Sequence, residues 1–191
     1  MLRFLFRLIA ALVLAVVLGL GSAYLAPRFL SQGDAVANGP WSTNLAAGGT
    51  GADPYTRAFI ALTGLLALNK DETIYYNATT DSAGATLDGA CSYRLEGRDP
   101  DARWWSATVY GSDHYLIDTP TKRYSISKTS VVRNADQTFV VRLSTAEEPN
   151  NWIAVPAAAF QITLRLYNPG ATVKDDPANV PLPAIVKEGC T

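Results

Sequence analysis

In CSYRLE, residues 91–96, Cys91, Tyr93 and Leu95 alternate with Ser92, Arg94 and Glu96. Apolar and polar side chains fall on opposite faces of a pleat, the period-two signature of a half-buried strand. The same period runs outward in both directions. Upstream, residues 73–79 (TIYYNAT) are β-branched and aromatic, and Asp81-Ser82-Ala83-Gly84 makes a turn. Downstream, residues 97–101 turn and residues 103–110 (RWWSATVY) form the next strand. Further strands are expected at residues 115–117, 124–127, 130–133, 139–143, 152–155 and 159–167, with Asn134-Ala135-Asp136-Gln137 as a polar turn. Many short strands with regular turns read as an antiparallel β-sandwich or barrel.

Before this region the period is helical. Asp53-Pro54 is a helix start, an N-cap acid followed by proline at the first helical position. Tyr55, Phe59, Leu62, Leu65 and Leu66 then recur at helical spacing through about Leu68, and the apolar stripe is expected to lie against the β core. Residues 31–53, rich in Gly, Ala and Asn, read as a tether with one short strand around residues 40–44, Trp41 being its packing anchor. The organisation is thus a leader at 1–30, tether and first strand at 31–53, and helix plus β-sandwich at 54–191.

Residues 8–26 (LIAALVLAVVLGLGSAYLA) carry no charge. A helix of that length spans about 28 Å, one hydrocarbon core. Arg3 and Arg7 precede it, which keeps the start in the cytoplasm and exports the remainder. A signal peptide cut after Ala23, at Gly21-Ser22-Ala23, is the competing reading. The uncharged stretch runs on through Tyr24 and Leu25, longer than a signal needs, and favours a retained single-pass anchor in the inner membrane. Either way the domain is expected in the periplasm, tethered or secreted there after cleavage. Cys91 and Cys190 are the only cysteines, and a pair in an oxidising compartment is expected to form a disulfide tying the Pro-rich tail to a central strand.

Composition narrows the function. The chain has 191 residues, enough for one domain with a real core. Beyond Arg28 it carries 13 basic residues against 17 acidic ones, a net −4 that disfavours nucleic acid as a partner. One histidine and two cysteines leave little for a metal site, and no cofactor is expected.

Several segments in order resemble a known family: RWWSATVYGSDHYLIDTPTKRYSIS (103–127), NADQTFVVRLS (134–144), PNNWIAVP (149–156) and AFQITLRLYNP (159–169). They look like the domain of unknown function 1214 family, over about residues 87–169. The resemblance implies a jelly-roll-like β-sandwich. Longer members carry a preceding domain of unknown function 1254, and if that domain is needed here it would come from a separate chain. No reaction comes with the resemblance.

His114, between Asp113 and Tyr115, is the sole imidazole. As a general base it would need Asp113 or Asp118 to orient it and a serine to act on. No G-x-S-x-G elbow exists, and a solvated turn histidine is the expectation. Arg123-Tyr124-Ser125, after Asp118, can hold a carboxylate or sugar; the plainer reading is an Arg–Asp pair with a tyrosine hydroxyl at a sheet corner. Arg165 and Tyr167 invite the same two readings. Asn151-Trp152, with Trp104, Trp105, Tyr75 and Tyr76, can make a stacking platform or fill the space between sheets. Trp104 and Trp105 must face opposite sides of their strand. Glu96, Asp88 and Asp118 are acids by type only, with no spacing that pairs them. The binding set is therefore Trp104, Trp105, Arg123, Tyr124, Asn151, Trp152 and Arg165, serving a glycan, a lipid-like ligand or a partner protein without catalysis. The alternative is an envelope hydrolase with a polar cleft around His114, Asp118 and Arg123.

Overall fold

The computed structural model describes residues 1–30, 35–63 and 65–190. α1 (Leu2–Leu30) presents leucine, valine and phenylalanine on all sides, with residues such as Phe4, Leu12 and Leu20 exposed. The 26-residue segment Leu2–Pro27 contains an 18-residue window of mean hydropathy 2.5, the length and composition of a bilayer-crossing helix. An N-terminal helix of this kind is consistent with a membrane anchor or a signal sequence.

β1 (Ala35–Asn38) and β2 (Trp41–Asn44) form a hairpin whose turn uses Gly39 at φ +58°. The sequence pointed to one strand here; there are two. Trp41 is buried as expected, and its Nε1 donates to the Pro183 carbonyl at 2.8 Å.

α2 (Pro54–Leu62) starts where the Asp53-Pro54 pair requires. Asp53 Oδ1 accepts from the Tyr55 and Thr56 amides at 2.8 and 3.2 Å, and Oδ2 accepts from the Thr56 hydroxyl. Bonding from Thr56, hydroxyl first and then amide, holds the Asp53 carboxyl below its usual range. Two expectations about this helix fail. It ends at Leu62, not Leu68, because the Thr63 hydroxyl donates back to the Phe59 carbonyl at 2.9 Å, and the Leu68 amide is taken by the Tyr75 hydroxyl at 3.1 Å. It also packs against α1, with Tyr55 and Leu62 left exposed, rather than against the β core.

The body follows as β3 (Thr73–Ala78), β4 (Cys91–Gly97), β5 (Ala102–Gly111), β6 (Ser125–Ser127), β7 (Phe139–Ser144), β8 (Trp152–Ala154), β9 (Phe160–Pro169), the short α3 (Ala171–Asp175) and β10 (Ala184–Cys190). They make two sheets, ordered β1-β2-β3-β9-β5-β6 and β10-β4-β7-β8. The sheets meet face to face over one core. Trp105 of β5 stacks on Phe139 of β7 at 5.1 Å between centroids, and Tyr93 of β4 meets the edge of Phe160 of β9 at 5.8 Å.

Four further differences from the sequence reading have physical causes. Residues 115–117 make only a bridge, Tyr110 with Leu116, because the turn at Gly111 and His114 consumes the neighbouring backbone groups. Residues 130–133 form no strand: the Val131 amide bonds back to the Ser127 carbonyl, and Val132 pairs with a side chain described below. β8 runs parallel to β7, against the antiparallel expectation. A return of only three residues of register lets so short a connection (145–151) suffice, where a longer parallel pair needs a crossover of a dozen residues or more. Finally, the tail forms β10, starting directly after Pro183, a place where proline is tolerated.

β10 is the edge strand beside β4, and Cys190 lies opposite Cys91 in their register. The two sulfurs are joined in a disulfide with a sequence separation of 99. Closing a loop of that size stabilises by about 4.7 kcal/mol in the chain-entropy picture, and measured values run lower. Cys190→Ser is expected to cost about 2–5 kcal/mol in urea unfolding, with β10 the first segment to lose amide protection in hydrogen exchange.

Tyr76, fully buried on β3, donates its hydroxyl to the Pro177 carbonyl at 3.0 Å. Burial, with Asp176 adding to it, pushes the Tyr76 phenol up to about 12. The unfolded chain ionises near pH 10, so this contribution is complete below that pH and is lost as pH rises toward 12. Denaturation at stepped pH should therefore show the stability difference between wild type and Tyr76→Phe constant from pH 7 to 9. From pH 10 to 12 the wild type should fall relative to the variant.

Candidate functional site

The edge strands β6 and β8 come together along one side of the sandwich, where the Ala154 amide donates to the Arg123 carbonyl at 2.8 Å. Beside that junction opens a cleft of about 480 Å³, lined by Arg123, Ser125, Ile126, Ser130, Val132, Asn150, Asn151 and Trp152.

Its wall is built by amides. Asn150 has φ +65°, a left-handed conformation that asparagine tolerates better than most residues, and its carbonyl accepts from Arg123 Nη2 at 3.0 Å. Asn151 is buried and spends its whole side chain: Oδ1 accepts from the Val132 amide at 2.8 Å, and Nδ2 donates to the carbonyls of Val132 at 2.6 Å and Val140 at 3.1 Å. This amide does for Val132 what a neighbouring strand would, which is why residues 130–133 hold their place without being one.

The floor is apolar. Trp152 is only 2% exposed, its Nε1 donating inward to Ser144 Oγ at 2.9 Å, and the Arg123 guanidinium stands 5.8 Å above its ring. Among the described residues no carboxylate lies within ion-pair distance of Arg123, so the expected Arg–Asp pair is not formed. A guanidinium over an indole, with N–H groups to spare, is suited to an anionic or hydroxyl-rich group. The Ser130 hydroxyl is already engaged with Ser127, whereas Ser125 is exposed on β6.

The remaining candidates lie elsewhere. Trp105 is a core residue, its Nε1 donating to Asp99 Oδ1 at 3.1 Å, and Asp99 also takes Arg133 Nη2 at 2.9 Å. Tyr124 is half-buried against the core, and its carbonyl accepts the Val109 amide. Trp104 faces the other side of β5, 5.1 Å from the ring of Tyr167. Arg165 belongs to that outer face too, donating to the Tyr110 hydroxyl at 2.7 Å between the rings of Tyr75 and Tyr110. The set thus divides: Arg123, Asn151 and Trp152 share the cleft, Trp104 and Arg165 the outer sheet face, and Trp105 and Tyr124, packed with the core, neither.

His114 is exposed in a turn, φ +68°, with Nδ1 sharing a hydrogen bond of 2.7 Å with Gln161 Nε2. Asp113 Oδ1 accepts from the Tyr115 amide rather than orienting the imidazole. Neither His114 nor Asp118 lines the cleft with Arg123. Glu96 pairs with Arg94 at 3.1 Å, and Asp88 Oδ1 accepts the Ala90 amide at 2.9 Å. Ile126, Ser130 and Val132 were not singled out by sequence as site residues; the strands expected at 124–127 and 130–133 do not say which side chains border a cleft.

The fold and cleft define a mainly β, two-sheet protein with an apolar N-terminal helix. Residues 72–171 match the family described as Protein of unknown function (DUF1214), and the chain belongs to that family. Among solved structures, it is similar to the VPA0106 protein from Vibrio parahaemolyticus at 23% identity and TM-score 0.61, over 73% of this chain and 36% of that one. A putative uncharacterized protein from Burkholderia cenocepacia is a weaker likeness, 16% identical at TM-score 0.43, over 61% of this chain and 29% of that one. The chain thus spans about a third of each, and the first likeness bears on fold alone. No curated protein matches.

Asn151→Ala would strand the Val132 amide and two carbonyls, at about 1–3 kcal/mol for each group left unsatisfied. Thermal unfolding should show a clear loss, and amide exchange at Val132 should rise before the core opens.

Proposed function

We propose that this protein is a non-catalytic binding protein of the cell envelope, tethered by α1, with its β-sandwich in the periplasm and its ligand site in the Arg123 cleft. The observation that carries the reading is the cation without a carboxylate partner, set over the Trp152 ring at an open, apolar-floored cleft. The fitting ligand has an acidic head for Arg123 and Ser125 and an apolar or sugar-face body for Ile126 and Val132, as in an acidic glycan unit or a lipid-like anion. Binding without turnover is supported by the cleft's own groups, since the serines there have no imidazole or carboxylate beside them in the lining. The paired cysteines and the apolar leader support the envelope location. A separate chain carrying the domain of unknown function 1254 is the proposed protein partner, by analogy with the longer members of the family.

Thermal-shift titration of the full chain in nanodiscs, against acidic oligosaccharides and against single-chain anionic amphiphiles, tests this. A saturable rise in Tm is expected from one arm, with affinity about 10–100-fold weaker in Arg123→Ala, the worth of a charge-assisted hydrogen bond. No rise from either arm, or an equal rise in the variant, would remove Arg123 as the site.

A further inference from the structure

We infer that α2 and the segment after it form a second membrane contact, an apolar shoulder that lays the β-sandwich on the bilayer surface beside α1. The inference rests on α1 being a retained anchor. Leu62, Leu65, Leu66 and Leu68 are all exposed, Leu66 at 92%, and Tyr55 is exposed on the helix that precedes them. Isolated surface leucines are ordinary; several within a few residues of chain are a patch.

This patch is displayed rigidly. The Tyr75 hydroxyl holds the Leu68 amide, and the turn at Gly48 (φ +73°) lies so close under the Ala67 and Leu68 carbonyls that a side chain there would collide with them. The Leu65 amide donates to the Ile60 carbonyl at 3.1 Å, which keeps it on the end of α2. Folding therefore fixes these side chains outward, when a floppy loop would be free to bury them.

Position and apolar character name lipid as the occupant. α2 packs against α1, and at nine residues it is about 13 Å long, so the patch stays close to the transmembrane helix. From Pro54 to Leu68 the only charge is Arg57, whose guanidinium is bonded to the Ala52 and Thr50 carbonyls; Lys70, Asp71 and Glu72 follow beyond the patch. Asp53 is spent on the helix cap. Apolar side chains with an aromatic neighbour and no free charge among them, beside a spanning helix, suit the headgroup boundary of a bilayer.

Spin labels on single new cysteines in the full chain, reconstituted into nanodiscs containing phosphatidylglycerol, separate the possibilities. Leu66→Cys, Val132→Cys and Leu14→Cys report the shoulder, an exposed site at the cleft, and the middle of α1. The label at 66 is expected to show a severalfold loss of collision with a water-soluble nickel chelate relative to 132, and a gain with oxygen, while 14 reads deeper still. Equal nickel access at 66 and 132, with 14 buried in lipid, would overturn the shoulder and leave the anchor standing, and would point to a protein cover for the patch. Nickel access at 14 would overturn the anchor itself.

Discussion

The domain is organised around β9. It is one of the two longest strands and pairs on one side with β3 and on the other with β5, so both of its backbone edges are used within the sheet. Ile162, Leu164 and Leu166 point into the core with no exposure, and each such side chain contributes about 1.5–3 kcal/mol on burial. Thr163 on the opposite face donates to Asn77 Oδ1 at 2.8 Å, so even the polar side of the strand is tied to β3. A one-residue slip in this register would exchange the two faces and put Arg165 where Leu164 now packs. The second sheet closes over the inner face, with Trp105 on Phe139 and Tyr93 on Phe160 bridging the layers.

The cleft is a by-product of how the two sheets end. β6 and β8 are three-residue edge strands, short enough to leave space between them and too short to recruit a foreign strand. What would be ragged loop there is stiffened by side-chain amides standing in for ladder bonds. Asn151 serves Val132 and Val140, and the Asn150 carbonyl steadies Arg123. The result is a fixed cation over an aromatic floor.

Much of this was legible because local rules agree with one another along the middle of the chain. Alternation marked β3, β4, β5, β7 and β9, and the Asp53-Pro54 pair marked the start of α2. The cysteine pairing followed from there being only two. Illegible parts were those where a side chain replaces backbone pairing or where tertiary contact overrides a local pattern. Residues 130–133 have the composition of a strand, but Asn151 occupies the place of its neighbour. The helical stripe continues past Leu62, but Tyr75 takes the Leu68 amide for an extended chain. β10 hides behind three prolines that suggest a loose tail. As for the site, Arg123, Asn151 and Trp152 are neighbours only because β8 turns back parallel to β7, and no periodicity encodes that return. Trp105, named with them on residue type, belongs to the core.

α2 packs directly against α1. With α1 in a bilayer, as proposed, that packing holds the body in a thin shell of space against the lipid, and it cannot swing out to collect cargo from afar. Whatever it meets has to diffuse in to that shell or travel within the plane of the membrane, where encounter becomes a two-dimensional search.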